Sequence, residues 1–391
     1  MAAACVDAPA ALNLHAAWIH NAAEFAQMQP AWRELFTRSG QDNAFLTFAW
    51  MFTWWKHFAK GRLAIIAIRE PSGRLVAVAP FHIAPMTGAL GARRLGFLAD
   101  AHVGSDYLDA LADPAYADLA GAEIARTLLS HHALWDYIEL RDAAESPLMT
   151  ALLAGLVRAG MQPEQSVAQL CNYMPLPPTF DRYLSRVAIG LRANYRRRWR
   201  NLQRDHQGEC LIFQDARDLQ THFPSLLALH RMRFAQRQMH SAFVRPGLPE
   251  FHVDALQSLA AEGLARLFLL QAGGEPVAAI YGFAAGTTFQ FYQCGMHPEW
   301  MRYGVGQVLI GNVIEHVIAN GHRTFDFLRG GESYKAQWAA ESRRTVTWRL
   351  FDRRPGSRAA RMGLGANAAL RAIARALRRR FRQYMPAIRQ H

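Results

Sequence analysis

The stretch Gly295-Met-His-Pro-Glu-Trp-Met-Arg302-Tyr303-Gly304-Val305-Gly306-Gln307-Val308-Leu309 decides the fold. A β-rich run ends where it begins, and a loop with an arginine and two close glycines leads into an amphipathic helix reaching about Asn320. Consecutive backbone N–H groups at a helix start make an anion nest, glycines allow close approach, and the helix dipole adds positive potential. That suits a pyrophosphate; the same residues also make a glycine-rich helix start that holds no ligand. No GxxxxGK[ST] occurs, so this is not a Walker loop. The preceding strands form a meander and not a βαβ unit, which argues against a dinucleotide fingerprint.

Upstream lie three β runs, Ala265 to Gln271, Glu275 to Ala284 and Thr287 to Gly295, joined by glycine turns. Before them come an Arg-rich helix over 182–206, a strand from Glu209 to Gln214, and helices over Asp218 to about Met239 and 250–262. Downstream, Thr324 to Leu328 and Thr345 to Phe351 alternate like strands. A meander, a helix and a returning strand form an α+β pattern. The first half repeats the order. A helix over Glu24 to Thr37 precedes the aromatic-dense Phe45 to Phe58, which reads as a buried helix. β runs at Arg62 to Arg69 and Arg74 to Ile83, helices at Tyr116 to His131 and Leu148 to Ala159, and strands at Trp135 to Leu140 and Val167 to Met174 follow, ended by Pro175-Leu-Pro-Pro178. The expected division is an N-terminal extension over 1–40, a first domain over 41–177, a second over 178–352 and a basic tail over 353–391.

A length of 391 residues exceeds what one core usually organises, in keeping with two domains or three. No uninterrupted apolar stretch is long enough to span a bilayer, and Met1 to Ala11 lacks the pattern of a secretory signal. The four cysteines never form CxxC, which speaks against a zinc ribbon or a disulfide scaffold. The expectation is a soluble cytoplasmic protein. Its net charge of +13 is concentrated: residues 353–391 hold eleven arginines and residues 182–204 eight, with no acid in either, so the rest of the chain is net acidic. Such asymmetry favours local contacts with an anion over wrapping by nucleic acid. No metal-ligand spacing and no GxSxG elbow occurs.

The meander, the Arg302-x-Gly304-x-Gly306 loop, the helix and the following strand resemble the acyl-CoA-binding core of the GNAT acyltransferases. Phe45 to Trp55, Asp106-Tyr-Leu-Asp109, Leu191 to Leu202, and Asp326-Phe-Leu-Arg-Gly-Gly-Glu-Ser-Tyr-Lys335 with Trp338 are similar to the CelD-like acetyltransferases related to the FemAB aminoacyltransferases. Met301 stands where the loop often has Gln or Arg, a departure that blurs the phosphate match.

The resemblance implies tandem GNAT-like domains, each a mixed and mostly antiparallel sheet flanked by helices, the second binding acyl-CoA through Cys294, Arg302, Tyr303, Gly304, Val305, Gly306 and Gln307. A backbone N–H near Cys294 would polarise the thioester carbonyl. Tyr334 would protonate the leaving thiolate, with Glu332 as a base. Lys335 stands out unaided, because the chain has three lysines against forty-one arginines. It is either a catalytic ammonium or, with Tyr334, a cap on the turn that pairs with Asp326 or Glu332.

Asp106 and Tyr107 are acceptor-cleft candidates or a capped turn. Arg192 and Arg196 are ligand contacts or a solvated face, and His230, Arg233 and His240 are read the same way. In the tail, Leu370, Ile373, Leu377, Phe381 and Tyr384 alternate with Arg371, Arg375, Arg378 and Arg382. That pattern fits an amphipathic helix over 366–385, lying on the inner face of an anionic membrane or on the protein's own acidic body. The implied activity is acyl-CoA-dependent N- or O-acyl transfer, with acetyl the expected group, to a small-molecule or glycan acceptor in surface-polysaccharide production, without a metal. The alternatives are transfer from aminoacyl-tRNA, the one reading with a nucleic-acid partner, and a non-catalytic accessory protein at the membrane.

Overall fold

The computed structural model describes residues 13–85, 91–339 and 341–384, the side chains of 368 and 371–384 excepted. The first half runs β1 (His15–Ile19), α1 (Ala22–Gln27), α2 (Gln29–Arg38), α3 (Phe48–Phe58), β2 (Arg62–Leu63), β3 (Ile65–Arg69) and β4 (Leu75–Ala79). It continues with β5 (Phe81–Ile83), β6 (Arg94–Phe97), β7 (Leu111–Ala112), α4 (Ala117–Ser130), β8 (Tyr137–Ala143), α5 (Pro147–Arg158) and β9 (Gln162–Pro175). The second half runs α6 (Phe180–Arg186), α7 (Ile189–His206), β10 (Glu209–Phe213), α8 (Ala216–Gln236), α9 (Leu248–Ala261), β11 (Ala265–Ala272) and β12 (Glu275–Ala285). Then come β13 (Thr288–Met296), α10 (Val305–Ala319), β14 (Thr324–Arg329), α11 (Ser333–Trp338), β15 (Glu341–Phe351) and α12 (Pro355–Tyr384).

Among the described residues, eleven strands form one mixed, mostly antiparallel sheet in the order β10-β11-β12-β13-β14-β9-β15-β8-β6-β5-β2, and β1-β3-β4-β7 form a second. The halves interleave at the middle of the large sheet. β9, the last strand of the first half, pairs with β14, while β15 lies between β9 and β8. Chain position 177/178 therefore does not mark a division of the sheet.

Aromatic packing ties the halves further. Thr47 caps α3 by accepting from Trp50 N at 3.2 Å, and the fully buried Trp50 and Phe45 of that segment meet Phe251 and Phe283 of the second half at ring separations of 5.0 and 5.6 Å. Side chains of this size carry roughly 1.5–3 kcal/mol each on burial.

Several elements differ from the sequence reading. The stretch expected as an N-terminal extension supplies β1, which pairs with β3, and the fully buried Phe25, Trp32 and Leu35. The run Arg74 to Ile83 breaks at Pro80, which lacks an N–H for the ladder, so β4 and β5 enter different sheets. The helix expected over Glu24 to Thr37 divides at Met28 into α1 and α2, and the arginine-rich helix expected over 182–206 divides at Val187-Ala188 into α6 and α7.

The tail begins docked. Asp352 N donates to the buried Ser357 Oγ at 2.9 Å, Arg354 lies 4.8 Å from the Trp135 ring centre, and Arg361 pairs with Glu164 at 2.9 Å. Leu370 is 63% exposed, whereas the side chains of Ile373, Leu377, Phe381, Tyr384 and the arginines between them lie outside the described residues. No helix among the described residues is long and apolar enough to cross a membrane.

Candidate functional site

β13 and β14 are laddered in parallel only over Thr288–Gln290 with Thr324–Asp326. Beyond Gln290 they diverge. Tyr281 opposes Gln293 while Gly282 opposes Phe291, so Tyr292 is the extra residue of a bulge that bends β13 at this point. The divergence opens a cleft of about 280 Å³, walled by Cys294 on β13, Gly304 to Gln307 at the start of α10, and Tyr334 and Trp338 on α11.

Gly304 is the residue that makes the turn into α10. Its φ of +69° is a left-handed conformation, and a Cβ there would lie 2.5 Å from Arg198 Nη1. Among the described residues no side chain caps the first turn of α10, so its leading N–H groups stay available to an anion in the cleft.

Two helices deliver cations to this wall by one device. On α7, the buried Tyr195 donates to Asn312 Oδ1 of α10 at 2.7 Å, and Arg198, one turn on, donates to Gln307 Oε1 beside Gly304. On α8, backbone at His230 meets β13 at Gly295, where a Cβ would lie 2.4 Å from His230 N. One turn further, Arg233 is 5% exposed, donates to Cys294 Sγ, and stands 5.7 Å from the Tyr334 ring centre. Arg237 reaches the cleft from the next turn. Cys294 Sγ and Tyr334 Oη are 4.0 Å apart. Burial, reinforced by the neighbouring Cys294, raises the Tyr334 hydroxyl well above its ordinary value, so it keeps its proton at neutral pH.

Of the residues expected to bind the coenzyme, Cys294, Gly304, Val305, Gly306 and Gln307 line the cleft. Arg302 does not; it is exposed and lies over the Tyr303 ring at 4.8 Å, while Tyr303 packs on His206 and Trp300. Among the catalytic candidates, Tyr334 lines the cleft but Glu332 and Lys335 do not. The buried Lys335 Nζ donates to Arg329 O at 2.5 Å and pairs with Glu332 at 3.1 Å, which clamps the Gly330-Gly331 turn.

Asp106 and Tyr107 sit in the seam between the halves. Asp106 accepts from Arg329 N at 2.9 Å and Nε at 2.8 Å, and burial lifts its carboxyl to about 6. Tyr107 donates to Asp326 at 3.5 Å under Arg343, which also binds Asp326. Arg192 is half-buried off the cleft wall, and Arg196 is exposed and paired with Asp181 at 3.0 Å. His230 and Arg233, read as ligand contacts or a solvated face, are both buried, which removes the solvated alternative; desolvation lowers His230 to about 4.

Sequence reasoning missed Arg198 and Arg237 and undervalued Arg233. The signal for Arg198 was its place one turn after Tyr195 on the apolar stripe of α7. Among the described residues, no group of three metal-ligating side chains occurs.

Residues 190–336, which supply all of the cleft lining except Gln337 and Trp338, match the family model described as an acetyltransferase (GNAT) domain. The chain's architecture is GNAT-like. Among solved structures it is similar to FemX, with a TM-score of 0.58 at 11% identity, covering 81% of this chain and 95% of that one. It is also similar to the C-terminal domain (DUF2156) of a putative lysylphosphatidylglycerol synthetase from Agrobacterium fabrum, with a TM-score of 0.51 at 10% identity and coverage of 87% and 96%. A conserved protein of unknown function from Bacteroides thetaiotaomicron gives a TM-score of 0.52 at 10% identity, covering 86% of this chain and all of that one. No curated protein matches the chain. Identities this low reflect shared fold alone.

Proposed function

We propose that the protein transfers an acyl group, most simply acetyl, from acyl-CoA to an amine or hydroxyl in a ternary complex. The observation that carries this reading is the uncapped first turn of α10 beside Arg198, opening on the cleft where β13 leaves β14. The pyrophosphate would lie on that turn, and the pantetheine arm between the diverging strands. A free N–H on the edge of β13 near Cys294 would polarise the thioester carbonyl. The acceptor would approach from a space of about 250 Å³ lined by Asp142, Gln293 and Arg329. It attacks the carbonyl carbon, the C–S bond breaks, and Tyr334 gives its proton to the coenzyme thiolate; the proton shed by the acceptor passes to water in the cleft, from which Tyr334 is reprotonated. Glu332 and Lys335 hold the turn that carries Tyr334 into the cleft. A CelD-like role on a surface polysaccharide rests on the sequence motifs alone. The anionic membrane partner rests on the basic composition of 366–385.

A second reading, transfer from aminoacyl-tRNA, draws support from the likeness to FemX and from the exposed Arg182, Arg186, Arg197 and Arg200 of α6 and α7. Filter binding with labelled acetyl-CoA and with aminoacyl-tRNA, each competed by free CoA, separates the two. Retention of acetyl-CoA displaced by CoA supports the first reading, and retention of tRNA alone replaces it with the second.

A further inference from the structure

Cys294 has surroundings that the transfer reaction does not require. Its Sγ is at the wall of the donor cleft, in contact with the Arg233 guanidinium and 4.0 Å from the Tyr334 hydroxyl. Arg233 is buried, its Nε has no partner among the described residues, and its side chain forms part of the same wall, so a cation stands where negative charge on sulfur would develop. The other described cysteines lack this setting: Cys171 and Cys210 line no part of the cleft, and burial raises each thiol to about 12.

We propose that Cys294 forms a reversible disulfide with the thiol end of coenzyme A, which closes the donor cleft under oxidising conditions. The inference rests on the acyl-CoA reading above. The co-reactant is the symmetric disulfide of CoA. The Cys294 thiolate attacks one sulfur of that disulfide and forms the Sγ–S bond, while the S–S bond of the co-reactant breaks. The second CoA leaves as its thiolate and takes up a proton, so one disulfide is exchanged for another and no further oxidant is consumed. The nucleotide end of the bound coenzyme would occupy the first turn of α10, holding the reacting sulfur against Cys294. A disulfide without that handle gains no such help.

The full chain is incubated with CoA disulfide and, in parallel, with oxidised glutathione; intact mass and peptide mapping are read over time, and acetyl-CoA affinity is measured before and after. The expected result is one CoA added at Cys294 at least about tenfold faster than glutathione, because the bound nucleotide end holds the reacting sulfur in place. The adduct is slowed by excess acetyl-CoA, reversed by dithiothreitol, absent in Cys294→Ser, and accompanied by loss of acetyl-CoA binding. Acetyl-CoA binding without any adduct at Cys294 overturns the proposal and leaves the donor reading intact. Equal rates with glutathione overturn it as well, by reducing Cys294 to an ordinary accessible thiol. Failure of both the adduct and acetyl-CoA binding overturns the donor reading together with it.

Discussion

Arg198 of the arginine-rich helix donates to the side-chain oxygen of Gln307 in the first turn of α10, so one arginine of a basic surface helix is fixed beside the glycine turn of the cleft. Its neighbours Arg196 and Arg197 are exposed and bind Asp181 and Asn194. Arg198→Ala should therefore weaken acetyl-CoA binding about 10- to 100-fold, the 1.5–3 kcal/mol typical of a charged hydrogen bond, while Arg196→Ala changes it little. Parallel calorimetric titrations of the two variants read the contrast.

Tyr334→Phe removes the proposed proton donor and keeps the ring that faces Arg233. Release of coenzyme thiol should fall about 100-fold or more, with acetyl-CoA affinity nearly unchanged. Because burial raises this hydroxyl, it stays protonated through neutral and mildly alkaline pH. The wild-type rate should show no loss from Tyr334 ionisation between pH 7 and 9.

Asp109 gives a pH dependence of stability. Burial raises its carboxyl to about 7, although Ser146 and Ala110 N bind it. The folded protein thus holds a proton that the unfolded chain releases near pH 4, and stability falls by on the order of 1 kcal/mol per pH unit as pH rises between about 4 and 7. Asp109→Asn, which mimics the protonated form, should be more stable than wild type at pH 8 and close to it at pH 4, measured by urea unfolding at both values.

The docked start of α12 decides how the tail is to be tested. Truncation after Phe351 would strip Ser357 and Arg354 from the fold, whereas truncation after Gly365 keeps them. The shorter deletion should leave the thermal midpoint within a few degrees and lower partitioning onto anionic vesicles, at about 1 kcal/mol per arginine lost near the surface. Equal partitioning in a vesicle sedimentation assay would remove the tail as a membrane element.

The second half was legible because its signals are local. Glycine turns mark the meander, Gly304 marks the start of α10, and apolar periodicity marks its length. The interleaving at the seam was not legible, because the pairing of β15 with both β8 and β9 joins segments far apart in the chain and depends on registers that no local pattern specifies. The scarcity of lysine drew attention to Lys335, which the structure buries. It could not distinguish a buried clamp on Arg329 and Glu332 from a group facing substrate, since both disfavour arginine. Arg233 stayed open between a ligand contact and a solvated position for a related reason: on a helix of modest amphipathicity, its burial depends on the close approach of α8 to Gly295.

Calorimetric titration of the wild-type protein and Gly304→Val with acetyl-CoA tests the central claim most directly. Valine at φ +69°, with its Cβ driven into Arg198, removes both the turn and the space above it. The account predicts micromolar binding to the wild type and none to the folded variant. Binding of equal strength to both, or none to either, would contradict it.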